Sequence, residues 1–465
     1  MKLTDEQKST LLSKEIDHEG HAVCVLSLYD GMFRHNDTHG WLRYNGRFWE
    51  TEGAKQAVER AITNTLQQRR VLFAAIEEMK KANFCSSWRT TITNTMGQMA
   101  KHSKVYTPIG RFDNSNDDLN VQNGVVNLRT GKLADHSPDQ LFTYCIAVNY
   151  SEKQEEPGEW LRFLESTGLS EQMIEFCQIA AGYSLTGHTS EEVMFYLFGA
   201  TRSGKGTFTE VMNQLLGNLA MGASMETFTS KRYGDTSRFD MAPMKGKRFV
   251  TASESTATGK LNAAVIKSIT GGDEIYCSFK RKDHFSYRPQ FKIWLTSNFP
   301  VNMDVDDDAA WGRLRVIKFN NSFLGREDKT LKERLKSKES LERILRWAVL
   351  GAMDWYVLKT TGLPLPDEVA AEVDDHRLQL DGIGLYLDEM CDRSDELFVE
   401  GKVLHKAYSA WCEDEGNNIA GRKTFTQSLG KKGISAGQKK VGGVNKRGYF
   451  GVDFKINTGD DDIPA

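Results

Sequence analysis

Nowhere does this chain hold an uninterrupted apolar run near the ~18–20 residues that a membrane-crossing helix needs, so no membrane partner is expected. Its 7 cysteines (Cys24, Cys85, Cys145, Cys177, Cys277, Cys391 and Cys412) lie far apart and form no C-x-x-C pair. That spacing argues for scattered, reduced core thiols in a cytoplasmic protein. His18 and His21, in DHEGHA with Cys24 close behind, lack the H-E-x-x-H spacing, and no second ligand cluster follows. No zinc is expected. The opening MKLTDEQKST is too polar for a secretory signal. A formal net charge of −3 excludes a uniformly basic nucleic-acid binder, so any cationic surface has to be local.

What is present is an ordinary globular composition, 39% hydrophobic and 26% charged, over 465 residues. That length suits roughly two to four domains, each with its own core. Residues 1–147 read as an N-terminal domain, with a long amphipathic helix predicted over 54–82 and hairpin turns at Asn45-Gly46, Asn123-Gly124 and Thr130-Gly131. The polar NYSEKQEEPGEW marks a boundary, and residues 148–190 form a connector with helices predicted near 160–166 and 171–183. Strands and helices alternate over 191–330, as in an α/β nucleotide-binding core. Residues 331–380 read as a helical segment, periodic over 329–359, followed by a linker candidate at TTGLPLPDEV. Residues 381–457 show a helix, a short strand at LFVEG, helices at 402–415 and 422–432 and a Gly-punctuated hairpin, the pattern of a winged helix. Residues 458–465 are an acidic tail, and the chain carries no internal repeat.

The most informative stretch is VMFYLFGATRSGKGTFTEVMNQLLG. Residues 193–198 read as a buried strand, and Gly199, Ala200, Thr201, Arg202, Ser203, Gly204 and Lys205 as a turn. A helical pattern follows from Thr207 and Phe208 onward. Strand, loop and helix in this order form a phosphate-binding P-loop, whose backbone N–H groups and helix N-terminus face the β- and γ-phosphates. Lys205 supplies a compact cation for the same oxygens. One position departs. Gly206 stands where a Ser or Thr usually holds Mg²⁺, and the hydroxyl comes one residue later, at Thr207.

GKRFVTASES reads as a second buried strand ending in Glu254, a carboxylate suited to polarising the attacking water, holding Mg²⁺ through water, or both. FKIWLTSNFP is a third, ending at Asn298, whose amide is suited to the γ-phosphate and that water. DDDAAWGRLRVIKF then carries arginines into another strand. An arginine there suits a finger acting on a neighbouring subunit's nucleotide. Between acid and amide, a helix over 261–269 stops at Gly271-Gly272, and two β-like runs flank KRKDHF. The expected hairpin bears Lys280, Arg281, Lys282 and His284 at its tip, where a ring-shaped motor would grip a nucleic-acid backbone.

In this order, LFGATRSGKGTF, GKRFVTASES, LNAAVIKSITGGDEI, YRPQFKIWLTSN and DDAAWGRLRVIKF resemble the superfamily-3 helicases. The resemblance is to the C-terminal helicase part of the phage and plasmid (poxvirus-type) primase–helicase family. WLRYNGRFW and LNVQNGVVNLRTGKL look like the domain that precedes it. The resemblance implies an AAA+-like P-loop ATPase core with an α+β N-terminal domain and a C-terminal winged helix. It further implies a homo-hexameric ring that uses ATP and Mg²⁺ to translocate 3′ to 5′ on single-stranded DNA, at a replication fork or origin. Lys205 then takes the place of the Walker A lysine, Glu254 of the Walker B acid, Asn298 of the sensor and Arg313 of the finger. Thr207 and Glu254 become the Mg²⁺ candidates, and Lys267 joins the Lys280–Lys282 tip in facing DNA.

Besides Gly206, two departures from the family pattern stand out. Glu254 is the one clear acid in its strand, between Ser253 and Ser255, and Trp311 is followed by Gly312 where a first arginine is common. The first 147 residues show no paired-acid strand and no cysteine-rich element, so primer synthesis is not expected and a separate primase or polymerase is the implied partner. A phage-encoded chain would work in the host cytoplasm.

Two other functions fit parts of this pattern. An origin-binding initiator whose nucleotide site controls assembly with little turnover would use the basic residues of the C-terminal region, among them Arg422, Lys423, Lys431, Lys432, Lys439, Lys440, Lys446 and Arg447. A P-loop kinase would need a substrate lid and phosphate-clamping arginines near the loop, which the sequence does not offer.

Overall fold

A computed structural model describes residues 3–86, 88–153, 157–230, 238–254, 259–279, 283–415 and 419–455. Lys280, Arg281 and Lys282 of the expected hairpin tip, Ser255 and the acidic tail lie outside the described residues.

The fold is mixed α/β and is built on one parallel sheet. Its strands are β1 (Met194–Gly199), β2 (Ala220–Gly222), β3 (Phe249–Ser253), β4 (Lys292–Ser297) and β5 (Leu314–Phe319), in the order β5-β1-β4-β3-β2. All neighbours are parallel. Side chains alternate between faces along each strand. Phe195, Leu197, Phe249, Trp294 and Ile317 therefore join one core, while Met194, Tyr196, Val250, Leu295 and Val316 join another on the opposite face. Burial on both sides is why these strands read as unbroken apolar runs.

Six helices bear on the site: α1 (Glu171–Leu185), α2 (Lys205–Leu216), α3 (Ala263–Thr270), α4 (Asp308–Trp311), α5 (Lys338–Leu358) and α6 (Asp367–Leu380). Helices α1 and α5 cross closely enough to exclude side chains at two glycines. A Cβ at Gly182 would lie 2.0 Å from the Ala352 nitrogen, and one at Gly351 2.0 Å from the Gln178 carbonyl oxygen. Gly182→Ala is expected to destabilise the protein by about 2–3 kcal/mol, since backbone has to move to admit the methyl. Urea unfolding checks this, and a midpoint equal to the parent's would refute so close a crossing.

At the far end of α1, two cations meet its C-terminal carbonyls. Arg248 donates to Leu185 O (2.6 Å), and buried Lys292 donates to Thr186 O (2.5 Å) and His188 O (3.1 Å). Cations here complement the negative end of the helix dipole. Arg248 also donates to Ser115 O (2.8 Å), so the same junction binds the N-terminal region to the sheet.

Several elements differ from the sequence-based expectation. The helix predicted over 54–82 is two helices, Ala54–Ala75 and Met79–Phe84, because Glu77 turns with φ +61° and lets buried Phe73 pack on Ala82 and Cys85. The periodicity over 329–359 likewise breaks at Ser337, whose hydroxyl accepts from Ser340 N and caps α5. The stretch taken as a linker leads directly into α6, which lies along edge strand β5 with Lys318 paired to Glu372 (2.7 Å). Strand β2 was not foreseen; at three residues it is too short to show a pattern.

In the C-terminal region, Gly382–Met390, Phe398–Glu400, Gly401–Asp414 and Arg422–Lys431 are followed by a ribbon, Ser435–Val441 with Val444–Phe450, in the anticipated order. They share a core around Tyr386, Leu404, Tyr408, Phe425 and Leu429.

Candidate active site

Strand β1 delivers the chain into a loop over 199–204, and α2 begins at Lys205, two residues earlier than its periodicity suggests. Arg202 (φ +62°) and Gly204 (φ +102°) adopt left-handed backbone, a turn in which successive N–H groups converge on one concave side. Gly204 has no alternative. A Cβ there would lie 2.9 Å from Thr167 Cγ2 and 3.1 Å from Phe163 Cε2, which form the floor beneath the loop. The loop's outer side is tied down as well: Ser322 Oγ donates to Thr201 O (2.8 Å) and Phe323 N to Arg202 O (2.9 Å).

The Lys205 ammonium turns back into this loop. It donates to Gly199 O (2.7 Å), Ala200 O (2.8 Å), Ser203 Oγ (3.1 Å) and Asn298 Oδ1 (3.0 Å). These four acceptors are neutral. Burial without a counter-charge lowers the Lys205 pKa to about 8. Such a cation, among converging N–H groups at a helix N-terminus, favours an anionic ligand.

Glu254 follows the last residue of β3, with its N–H donating to Thr296 O of β4 (2.8 Å). Because β4 lies between β1 and β3, Asn298 sits between the loop and this carboxylate. A Cβ at Gly259 would fall 2.4 Å from Glu254 Oε2, so that glycine makes room for the acid. Thr207 is half-buried on the first turn of α2. Gly206 is exposed, and no atom lies within 4 Å of where its Cβ would be.

Arg313 is elsewhere. Its carbonyl pairs with Met194 N at the start of β1, whereas the loop leaves from Gly199 at that strand's other end. Five residues at ~3.3 Å each put it roughly 16 Å away along the strand. Its guanidinium donates to Glu192 Oε2 (2.6 Å) and Ala309 O (2.7 Å), and Glu192 itself holds a left-handed φ of +52°. Arg315 is half-buried, and burial lowers its pKa.

The residues proposed to face nucleic acid fall into two groups. One is engaged by acids. Lys267 donates to Asp307 Oδ2 (2.8 Å), holding that carboxyl below its usual range, and Lys431 pairs with Asp306 (3.3 Å). Lys432 pairs with Asp381, and Arg377 with Asp308. The acidic loop before α4 thus gathers cations from three helices. The second group is exposed: Lys423 and Lys440 are in no ion pair among the described residues, Lys439 lies 5.6 Å over the Phe398 ring, and His284 stacks on Tyr276 at 5.0 Å.

Three known families match the chain in succession. "D5 N terminal like" matches residues 24–167, "Family of unknown function (DUF5906)" residues 197–313, and "Poxvirus D5 protein-like" residues 379–450. The first and last of these matches give the chain the domain types of the poxvirus-type primase–helicase family. The chain is 30% identical over 241 residues to "Putative helicase L207/L206" of Acanthamoeba polyphaga mimivirus, covering 51% of this chain and 25% of that protein. It is 26% identical over 171 residues to "Putative helicase 022R" of Frog virus 3 (isolate Goorha), covering 35% and 17%. The chain thus spans about a quarter or less of these two relatives. A solved structure, the apo C-terminal region of NrS-1, shares its fold with a TM-score of 0.52 at 12% identity, covering 94% of this chain and 100% of that one.

Sequence reasoning missed several residues around this candidate site. Ser203 was read only as part of the turn, yet its hydroxyl holds Lys205; Glu192, Gly259 and Asp307 drew no notice. Glu192 and Asp307 act through partners distant in sequence, whereas Ser203, two residues before the lysine, and Gly259, five after Glu254, lie close to theirs. Among the described residues, no helix is long and apolar enough to cross a membrane.

Proposed function

We propose that this chain is the ATPase motor of a superfamily-3 DNA helicase, working on single-stranded DNA as a homo-hexameric ring in the replication of a phage, plasmid or large DNA virus. The observation that carries this reading is Lys205, a buried cation bridging the 199–204 loop to Asn298, with Glu254 on the next strand but one. The groups present fit ATP with Mg²⁺: N–H groups at a helix start, one ammonium and one amide for the phosphates, and one carboxylate for the metal or a water. With Mg²⁺, the nucleotide would supply a polarised terminal phosphate.

The chain's own residues would do the rest. The loop N–H groups and Lys205 would hold β- and γ-phosphate oxygens, Asn298 and Glu254 would orient a water, and Glu254 would accept its proton. Thr207 and Glu254 would hold the metal, directly or through water. Arg313, out of reach of its own loop, would serve a neighbouring chain. The C-terminal helices and ribbon would act as a winged helix on DNA.

ATP hydrolysis measured with and without single-stranded DNA, beside separation of a tailed duplex, tests the proposal. Stimulation by DNA together with unwinding is expected. Specific duplex binding with no turnover would instead make the chain an origin-binding initiator.

Gly206 affords a finer test. A hydroxyl there meets no obstruction, so Gly206→Ser is expected to keep turnover and to lower the Mg²⁺ concentration needed for half-maximal rate. Thr207→Ala is expected to raise that concentration, by about tenfold if one direct ligand is lost. Equal Mg²⁺ dependence in both variants and the parent would mean that neither hydroxyl meets the metal.

A further inference from the structure

The C-terminal region contains a cleft of about 620 Å³ between two helices and the ribbon. Its walls carry Lys402 and His405 of Gly401–Asp414, Arg422 at the start of Arg422–Lys431, and Arg447 of the second ribbon strand. Thr426, Gln438 and Tyr449 complete the polar lining, and no carboxylate takes part. Among the described residues, Lys402, Arg422 and Arg447 form no ion pair and donate no side-chain hydrogen bond. The Thr426 and Tyr449 hydroxyls, by contrast, are bonded to each other (2.6 Å).

The other end of the same helix is used differently. Lys431 is paired with Asp306 of the acidic loop (3.3 Å) and also donates to Asp306 O (3.1 Å), while Lys432 is paired with Asp381. On the ribbon, Lys446 is likewise paired with Glu400 (2.9 Å), and Arg393 pairs with Asp388. These cations of the region are committed to protein carboxylates, whereas Lys402, Arg422 and Arg447 of the cleft are not. Three uncompensated cations converging from three elements form a site for a polyanion. Their spread along an open cleft suits successive phosphates better than one small anion.

We propose that this cleft is a track for the sugar–phosphate backbone of DNA, with Lys402, Arg422 and Arg447 as its contacts, and that Lys431 holds the C-terminal region to the core instead, while Lys432 ties its helix to Asp381 at the start of the region. The proposal deepens the DNA-motor reading and rests on it for the identity of the polyanion.

The test is DNA binding by the full chain, followed by fluorescence anisotropy over 50–200 mM salt, with single-stranded and duplex oligonucleotides in separate arms. The variants are Lys402→Gln/Arg422→Gln/Arg447→Gln and Lys431→Gln/Lys432→Gln. For the first, the slope of log affinity against log salt is expected to shrink by about 2–3, and affinity at the lower salt to fall about 100-fold, in whichever arm the cleft serves. The second is expected to keep its affinity within about threefold while the segment around Asp381 becomes more open to protease. Retention of parental slope and affinity by the cleft variant in both arms would overturn the proposal and leave the cleft to a protein partner. So would a slope lost through Lys431 and Lys432 instead. DNA-independent ATP turnover separates the two readings: the cleft variant keeps it if the core is an ATPase, and its absence from the parent counts against the motor alone.

Discussion

Replacing Arg313 by alanine is expected to lower ATP turnover about 10³-fold or more while leaving nucleotide affinity nearly unchanged. The magnitude is that of arginine fingers in phosphoryl transfer, which neutralise charge that develops only in the transition state. The geometry requires such an effect to pass between chains, because Arg313 and the loop occupy opposite ends of β1 and its neighbour β5. Within one chain the guanidinium is held by Glu192, an exposed partner of little stabilising worth. Glu192→Gln should therefore change turnover by no more than about threefold. Mixing supplies the sharper check. Arg313→Ala and Lys205→Ala chains, each inactive alone, should recover part of the activity when combined, because one kind of interface then pairs an intact loop with an intact arginine. No recovery at any ratio would remove the finger from Arg313.

Lys205→Ala should be nearly as severe, with turnover falling about 10²–10³-fold as one preorganised cation is removed from the developing charge. Its loss also releases four acceptors that now share one ammonium, among them the Asn298 amide, so Asn298→Ala should weaken turnover in the same direction but less. The pKa of about 8 adds a pH signature. Below that value the ammonium is ready for phosphate; above it, binding must first take up a proton. ATP affinity is thus expected to weaken as pH rises through 8, and calorimetry in buffers of different ionisation enthalpy should show proton uptake there. In Lys205→Ala that uptake should vanish. A parent protein with pH-independent affinity between 7 and 9 would place the cation away from the phosphates. The stability linkage has the opposite sense: between about 8 and the unfolded value near 10.5 the unfolded chain binds the extra proton, so this group's contribution to stability rises with pH.

How much of this was legible depends on how local each signal was. The loop, β3 with Glu254 and β4 with Asn298 could be read because a strand buried on both faces leaves an apolar run, and because each candidate residue directly follows its run. The split of the 54–82 helix could not be read, since residues 76–78 have no proline or glycine and the break serves the packing of Phe73. The Gly182–Gly351 crossing was equally hidden: a helical glycine says nothing about which partner it meets.

The sequence alone thus supplied the candidates for the site: a lysine after a glycine turn, an acid and an amide at strand ends, and an arginine before the last strand. Covalent order and periodicity carry that information without any contact between distant residues. Only the tertiary structure decided how those residues are used. Strand order put Asn298 between the loop and Glu254, parallel pairing carried Arg313 out of reach of its own loop, and packing of the C-terminal region on the acidic loop engaged Lys431 while leaving Lys402, Arg422 and Arg447 unpaired. Charge pairing is settled by which carboxylate arrives within a few ångströms, and spacing along the chain does not specify that.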